Sequence, residues 1–399
     1  MNYLRAGVTT MENKNWKLKL TLLFVSSLTI MSVITISPAI PQMTVEFSAV
    51  QHADLLVKLV LTIPALMIAV VSPITGRLID RHGRLRILWF SLLLYAASGT
   101  AGYLLNNLYT ILFSRAVLGM SVGMSMTIVI TLIADYFDGM ERQKFVGLQI
   151  AFMSLGGILF IGLGGILADF GWRYPFLIYL FSLVVLPFSI VFLHEPAAAE
   201  KRNQPNQQVK PRPIIWMLFI NTMMMWIIFF LIPVQIPFHL KAIGIEKNSL
   251  AGAAIAMSTA FSALSSFSYS RIKRRLSFLS VFSTGYLLMA AGYICISLSE
   301  TYLLVLLAMM LSGLGMGMMI PNTNMWVMKI VPPAIRGKEI GKLTTFWFLG
   351  QFLSPVIIFP LMNVLSLSFT FMFAAGFLLL MSSSFLLFHF SKTGKLVMQ

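Results

Sequence analysis

Twelve apolar runs of roughly 20 residues, parted by short clusters of charge, glycine and proline, constrain this chain more than any motif does. A helix rises about 1.5 Å per residue, so each run can cross about 30 Å of hydrocarbon while every backbone amide is bonded inside its own helix. The runs fall at 19–40, 54–76, 86–105, 108–135, 145–168, 173–193, 214–239, 249–270, 277–298, 301–328, 340–363 and 367–390. Only 11% of the 399 residues are charged and 58% are hydrophobic, with a mean hydropathy of +0.86. Soluble domains carry about a quarter charged residues, and the gaps between runs leave no space for a sizeable one. The predicted class is an all-α integral membrane protein with 12 transmembrane helices.

The net charge of +16 could suggest nucleic acid in a soluble protein; in a membrane chain it reports topology. With an even number of spans both termini share one side. If that side is the cytoplasm, 24 of the 29 Lys and Arg residues lie there, leaving Lys58, Arg173, Lys241 and Lys247 on the far side and Arg115 within a span. The first run is too long for a signal-peptide core and is expected to be an uncleaved span. Cys295 is the only cysteine, so no intramolecular disulfide and no cysteine metal cluster can form. The histidines lie apart from one another, without metal-ligand spacing. No metal, cofactor or nucleic-acid partner is expected.

One polar, proline-rich interval, 194–213, separates the sixth run from the seventh. The implied organisation is a tail at 1–18, a six-helix bundle at 19–193, a cytoplasmic linker at 194–213, a second bundle at 214–390 and a tail at 391–399. The halves echo each other at an offset of 194: Arg142-Gln143-Lys144 before Gly147 matches Arg336-Gly337-Lys338 before Gly341, and Gly119 and Gly123 match Gly313 and Gly317. Parallel six-helix halves about an axis along the membrane normal are the architecture of rocking transporters, whose site lies between the halves near the midplane.

Four phrases carry a family resemblance. Gly76-Arg77-Leu78-Ile79-Asp80-Arg81-His82-Gly83-Arg84 fits the loop signature between the second and third spans of the major facilitator superfamily. Arg115-Ala116-Val117-Leu118-Gly119 fits its fourth-span signature. Ile133-Ala134-Asp135-Tyr136-Phe137, followed by Glu141-Arg142, resembles the end of that span and its loop. Gly164-Gly165-Ile166-Leu167-Ala168-Asp169, followed by Trp172-Arg173, resembles the end of the fifth. The chain thus resembles the superfamily, and within it the twelve-span drug:proton antiporters, which implies two pseudo-symmetric six-helix bundles. It departs from the antiporters by having Phe160-Ile161 where their fifth span carries Gly-Pro, and by having no acidic residue in the first span.

The first phrase implies a conformational latch. Gly76 lets the second span pack closely on a neighbour, and Asp80 can sit at a helix N-terminus, where a carboxylate is stabilised by unpaired N–H groups and the dipole. In the family that helix is the eleventh span. Arg81, Gly83, Arg84 and Asp135 complete the expected set. The competing reading is that these arginines only retain the loop on the inner side.

Arg115 lies about seven residues into its span, roughly 10 Å down the helix. An intramembrane charge is by default a functional candidate, and the resemblance links this arginine to proton movement. Of the 13 acidic residues only Asp54 enters a span on the outer side, one turn before Lys58, so Asp54 with Arg115 is the expected coupling pair. Cavity candidates are Asn221, Trp226 and Gln235 in the seventh span, Asn322 in the tenth, and Trp347 and Gln351 in the eleventh. The expected function is export of amphipathic small molecules or drugs in exchange for protons by a monomer in the cell membrane. The alternatives are transport of an organic anion, drawn by Lys58 and Arg115, and, less well supported, a membrane enzyme or a channel.

Overall fold

The computed structural model describes residues 2–196, 213–332 and 335–390, with side chains from residue 16 onward except Asp80 and Asn363. Most of the expected linker and all of the tail 391–399 lie outside the described residues. Fourteen helices are described: α1 (Asn2–Ile34), α2 (Ile40–Glu46), α3 (Ala53–His82), α4 (Arg84–Leu104), α5 (Leu108–Tyr136), α6 (Gly139–Phe170), α7 (Phe181–Phe192), α8 (Ile214–Phe229), α9 (Leu231–Ala242), α10 (Asn248–Arg275), α11 (Phe278–Ser297), α12 (Tyr302–Ile330), α13 (Arg336–Val364) and α14 (Leu367–Phe390). Together with two 3-10 segments, Ser37–Ala39 and Tyr174–Leu180, they form 12 apolar spans.

Each predicted run overlaps one span, and the largest differences lie at the ends. The first helix begins at Asn2, within the expected tail, although the span itself starts at Trp16. The latch phrase, expected in a loop, is mostly the last turns of α3, which ends only at Gly83. Gly83 adopts φ +80°, a left-handed conformation open to glycine and strained for other residues.

Helix packing repeats across the halves. In one half α5 lies on α3, with Gly119 against the backbone of Pro64; in the other α12 lies on α10, with Gly313 and Gly317 against the carbonyls of Ser258 and Ser262. Small residues permit this backbone approach, which replaces a hydrophobic driving force that lipid cannot supply. The glycines paired by sequence offset therefore occupy matching helix crossings. Between the halves, α6 packs on α10 and α3 on α13.

Proline shapes the polar wiring. A helical proline has no N–H for the carbonyl four residues earlier, and in a membrane that carbonyl must find another donor. Pro64 frees the carbonyl of Val60, which accepts from Arg115 Nε at 3.3 Å. Pro321 frees that of Gly317, which accepts from Ser266 Oγ at 2.6 Å. Pro237 frees that of Pro233, which accepts from Ser37 Oγ in the opposite half.

Candidate functional site

Near the middle of the bundle a cavity of about 320 Å³ lies between the halves, within the range of small-molecule sites. One wall comes from α1, α5 and α6, the other from α8, α9, α10, α12 and α13. The lining is aliphatic, aromatic and methionine, broken by a few hydroxyls and Gln351, with no Asp, Glu, Lys, Arg or His among the described residues. An ion occluded here would lose hydration worth several kcal/mol, of which a desolvated cation–π contact returns about 2 kcal/mol or more.

Of the predicted cavity residues, Trp226, Trp347 and Gln351 line this space. The two indoles stack at 4.4 Å between ring centres and 18° between planes. Asn221, Asn322 and Gln235 do not line it, and each is held inside the second half. Asn221 accepts from the Tyr286 hydroxyl at 2.7 Å. Asn322 accepts from Tyr269 at 3.0 Å and donates to the carbonyl of Phe278 at 3.0 Å, and Gln235 reaches Met362 Sδ at 2.9 Å. Polar groups buried in a membrane bundle more often join helices than face a ligand.

The cavity closes toward the face opposite the chain ends, called here the distal face; α1 enters and α14 finishes on the terminal face. Polar contacts joining the halves cluster at the distal end. Besides Ser37 and Pro233, Asp169 at the end of α6 accepts from the first amides of α10, Asn248 N at 2.7 Å and Ser249 N at 3.3 Å, and Asn248 Nδ2 donates to the carbonyl of Ala168 at 3.0 Å. Below this cap the helices touch backbone to backbone: a Cβ on Gly165 would stand 2.9 Å from the carbonyl of Asn248, and one on Gly252 2.9 Å from that of Ile161. Beside it Lys58, only 5% exposed, projects into the second half, with Nζ 3.7 Å from Met362 Sδ and 5.2 Å and 6.0 Å from the rings of Phe238 and Phe359.

The terminal face is different. A Cβ on Gly76, Gly147, Gly337 or Gly341 would meet nothing within 4 Å, so the close approach expected of Gly76 is not made in this conformation. The side chain of Asp80 lies outside the described residues. Arg81 is exposed and makes no ion pair among the described residues. Arg84 Nε stands 3.3 Å from Asp135 Oδ2. Glu195 joins them, its carboxylate accepting from Arg84 N at 2.7 Å and Leu85 N at 2.9 Å and so capping α4. It also fills the space beside Gly83, 3.1 Å from where a Cβ would be. The sequence places Glu195 on the inner side but about 110 residues from its partners, and no local spacing signals the contact.

Arg115 is fully buried inside the first half. Nη2 donates to the carbonyl of Ser32 at 2.7 Å and to the Tyr179 hydroxyl at 2.8 Å, and the guanidinium lies 4.7 Å from the Tyr179 ring centre. Nη1 has no hydrogen-bond partner. The side chain thus joins α1, α3 and the sixth span rather than snorkelling outward. Asp54 is not brought to it: Asp54 is exposed in the first turn of α3, about 9 Å by helical rise before Val60, and forms no ion pair with Lys58. Lys58 turns inward to the aromatic pocket while Asp54 stays at the surface.

A helical bundle of this packing, with a cavity between pseudo-symmetric halves, has the architecture of alternating-access membrane carriers. The sequence matches the Major Facilitator Superfamily over residues 22–355 and again over 247–396, and the chain belongs to that superfamily as a multi-pass membrane protein. It is 31% identical to the quinolone resistance protein NorA of Staphylococcus aureus over 169 residues, 41% of this chain and 43% of that protein. It is 31% identical to multidrug resistance protein 2 of Bacillus subtilis over 174 residues, 43% of this chain and 44% of that protein. The chain thus spans less than half the length of these curated relatives. Among solved structures, a bacterial homologue of the human lysosomal transporter Spinster, inward-facing and unoccupied, superposes with a TM-score of 0.78 over 96% of this chain and 97% of its own at 15% identity. A D-xylose–proton symporter gives 0.76 over 93% and 97% at 18% identity. At these identities the likeness is one of fold.

Proposed function

We propose that this transporter exports amphipathic small molecules from the cell in exchange for protons, with the terminal face in the cytoplasm. The observation that carries the reading is a mid-membrane cavity whose distal end is sealed by contacts joining the halves, while a Cβ on Gly76, Gly147, Gly337 or Gly341 at the terminal face would meet nothing within 4 Å. That arrangement suits loading from the terminal face and release after the halves rock the other way. The positive charge concentrated on the terminal-face segments supports a cytoplasmic orientation. The relatives named for quinolone and multidrug resistance support the substrate range, as do the apolar wall and its pliable methionines.

In this reading Gly76, Asp80, Arg81, Gly83, Arg84 and Asp135 form the latch of the opposite state, engaging the start of α13 when the terminal face closes, with Glu195 holding the latch segment to the first half. Arg115 is a positioning residue, fixing three helices of that half so that they move as one body. The coupling role proposed for Asp54 with Arg115 requires the outer end of α3 to move, since this conformation keeps them apart. The organic-anion alternative loses its motive, because neither Lys58 nor Arg115 borders the cavity.

Full-length protein in liposomes tests the reading. An imposed pH gradient is expected to drive saturable movement of an amphipathic dye, and collapse of the gradient to stop it. Absence of gradient-driven movement would refute export by proton exchange, and a non-saturating current would refute a carrier.

A further inference from the structure

We propose that the cavity takes planar aromatic molecules of no net charge, bound through neutral hydrogen bonds to Trp226, Trp347 and Gln351, and that it discriminates against permanent cations. The proposal rests on reading this cavity as the transport site and narrows the class of substrate.

Three observations converge. The wall holds no ionisable side chain, and the buried charges elsewhere in the spans are already engaged: Arg115 by Ser32, Val60 and Tyr179, Lys58 by Phe238, Phe359 and Met362, and Glu339, in the first turn of α13, by Lys342 at 2.8 Å. A charged cargo would therefore be stripped of water during occlusion without a counter-charge to replace it. The stacked indoles and the edge-on ring of Phe229, 88° to Trp226, offer flat apolar surface to an aromatic ring. Finally, Trp226 Nε1, Trp347 Nε1, Gln351 Oε1 and Ser258 Oγ are buried without hydrogen-bond partners just behind the wall, in residues whose other atoms line the cavity, so that side-chain rotation on binding would present them to a ligand. Indole nitrogen can only donate and the amide oxygen can only accept, so the set asks for a neutral acceptor, such as a carbonyl or ether, beside a hydroxyl or amine N–H donor. Buried groups of this kind reject a molecule that leaves them unpaired.

An uncharged cargo also fixes the electrical sign of exchange. Each proton moved inward against a neutral molecule moved outward transfers one net positive charge inward. Export is then driven by membrane potential as well as by the pH gradient.

The test uses full-length protein and three probes that share one ring system: anthracenemethanol, anthracenemethyl-trimethylammonium and anthracenecarboxylate. Equilibrium binding is expected to be saturable for the alcohol and about tenfold or more weaker for both ions. Trp347→Phe and Trp226→Phe keep an aromatic face, smaller than indole, and remove the donor, and each should weaken alcohol binding by roughly threefold to tenfold; Gln351→Leu should do the same from the acceptor side with the indoles intact. Equal or tighter binding of the cation, no saturable binding of the alcohol, or unchanged alcohol affinity in all three variants would each overturn the proposal. The export reading fails separately: if the alcohol binds as expected but no gradient moves it, export is wrong and the cavity preference stands. If the ammonium probe is pumped and the alcohol is not bound, export stands and the preference is wrong.

Discussion

At the distal end of this chain the glycines where α6 crosses α10 meet backbone, and at the terminal end the glycines of α3 and α13 have open space beside them. Gly165 and Gly252 bring α6 and α10 so close that neither can carry a side chain without displacing the other, whereas Gly76 and Gly341, near the terminal ends of α3 and α13, face open space. The charges follow the same division. Distal closure uses one carboxylate, Asp169, on a helix start and one caged lysine, while the terminal rim carries Arg77, Arg81, Arg84 and Arg86 beside Asp135 and Glu195. A seal of crossing backbones is set by shape and is indifferent to salt, whereas a rim of opposed charges near water is weakened by screening. The two ends thus close by different physics, and each can be attacked separately.

The largest effect is expected at the distal crossing. Gly252→Leu would drive a Cβ to 2.9 Å from the carbonyl of Ile161 and 3.1 Å from Gly165 Cα, and because backbone cannot repack, the halves must part. Overpacking of this kind costs about 1–3 kcal/mol or more, enough to disfavour the sealed state by tenfold or more. Transport should collapse, and a membrane-impermeant maleimide should label Thr35→Cys, in a Cys295→Ser background, from the distal side. Thr35 is fully buried here, its carbonyl against Gly164. Normal flux and no labelling would mean that this crossing is not the seal.

Gly76→Leu should act with the opposite sign and somewhat less force. In the present conformation a Cβ at this position meets nothing within 4 Å, so thermal stability should change little, yet a terminal face that closes around Gly76 could no longer do so. Flux should fall several-fold, and Thr35→Cys should become less accessible from the distal side. A Gly76→Leu variant with full activity would remove the latch and, with it, the contrast between the ends.

A third, smaller effect sharpens the distal side. Asp169→Asn removes the charge facing the α10 amides while keeping an acceptor. A carboxylate at a helix N-terminus is worth about 0.3–1 kcal/mol, so labelling at Thr35→Cys should rise by roughly twofold to fivefold, and high salt should narrow the difference from wild type. No change at low salt would assign distal closure to shape alone.

How much of this was legible beforehand depended on whether the signal was local. Span length, charge sidedness and the offset of 194 residues are local or periodic, and the spans and the matched glycine crossings followed from them. The choice of cavity residues was not local. Asn221 and Asn322 are as polar and as central as Gln351, but tyrosines from neighbouring helices occupy them. In lipid, apolar side chains face both the bilayer and the protein, so hydropathy does not say which face of a span turns inward. Lys58 shows the same limit: an Asp54–Lys58 spacing reads as a surface pair, and only the partner half reveals the aromatic pocket that draws the lysine away. Proline left the signal that could have been read further, because each helical proline names the carbonyl it frees. Val60, Pro233 and Gly317 were all identifiable from the sequence as acceptors awaiting a donor, and two of their three donors are the intramembrane arginine and Ser37, which reaches across from the other half.

The smallest effect should come from Glu195→Gln. The carboxylate caps α4 through two backbone amides, and its contact with Arg84 Nη1, at 3.9 Å, belongs to a side chain 42% exposed, so the ionic part contributes little. Glutamine keeps one acceptor oxygen, leaving a loss well under the roughly 1 kcal/mol typical of a deleted cap. All of its partners lie in the first half, so the substitution should lower thermal stability slightly without changing which face is open, and flux should stay within about twofold of wild type. If distal labelling at Thr35→Cys shifted instead, Glu195 would have to be coupled to the opposite half, and the charge network at the terminal rim would be part of the moving contact rather than the frame that holds it.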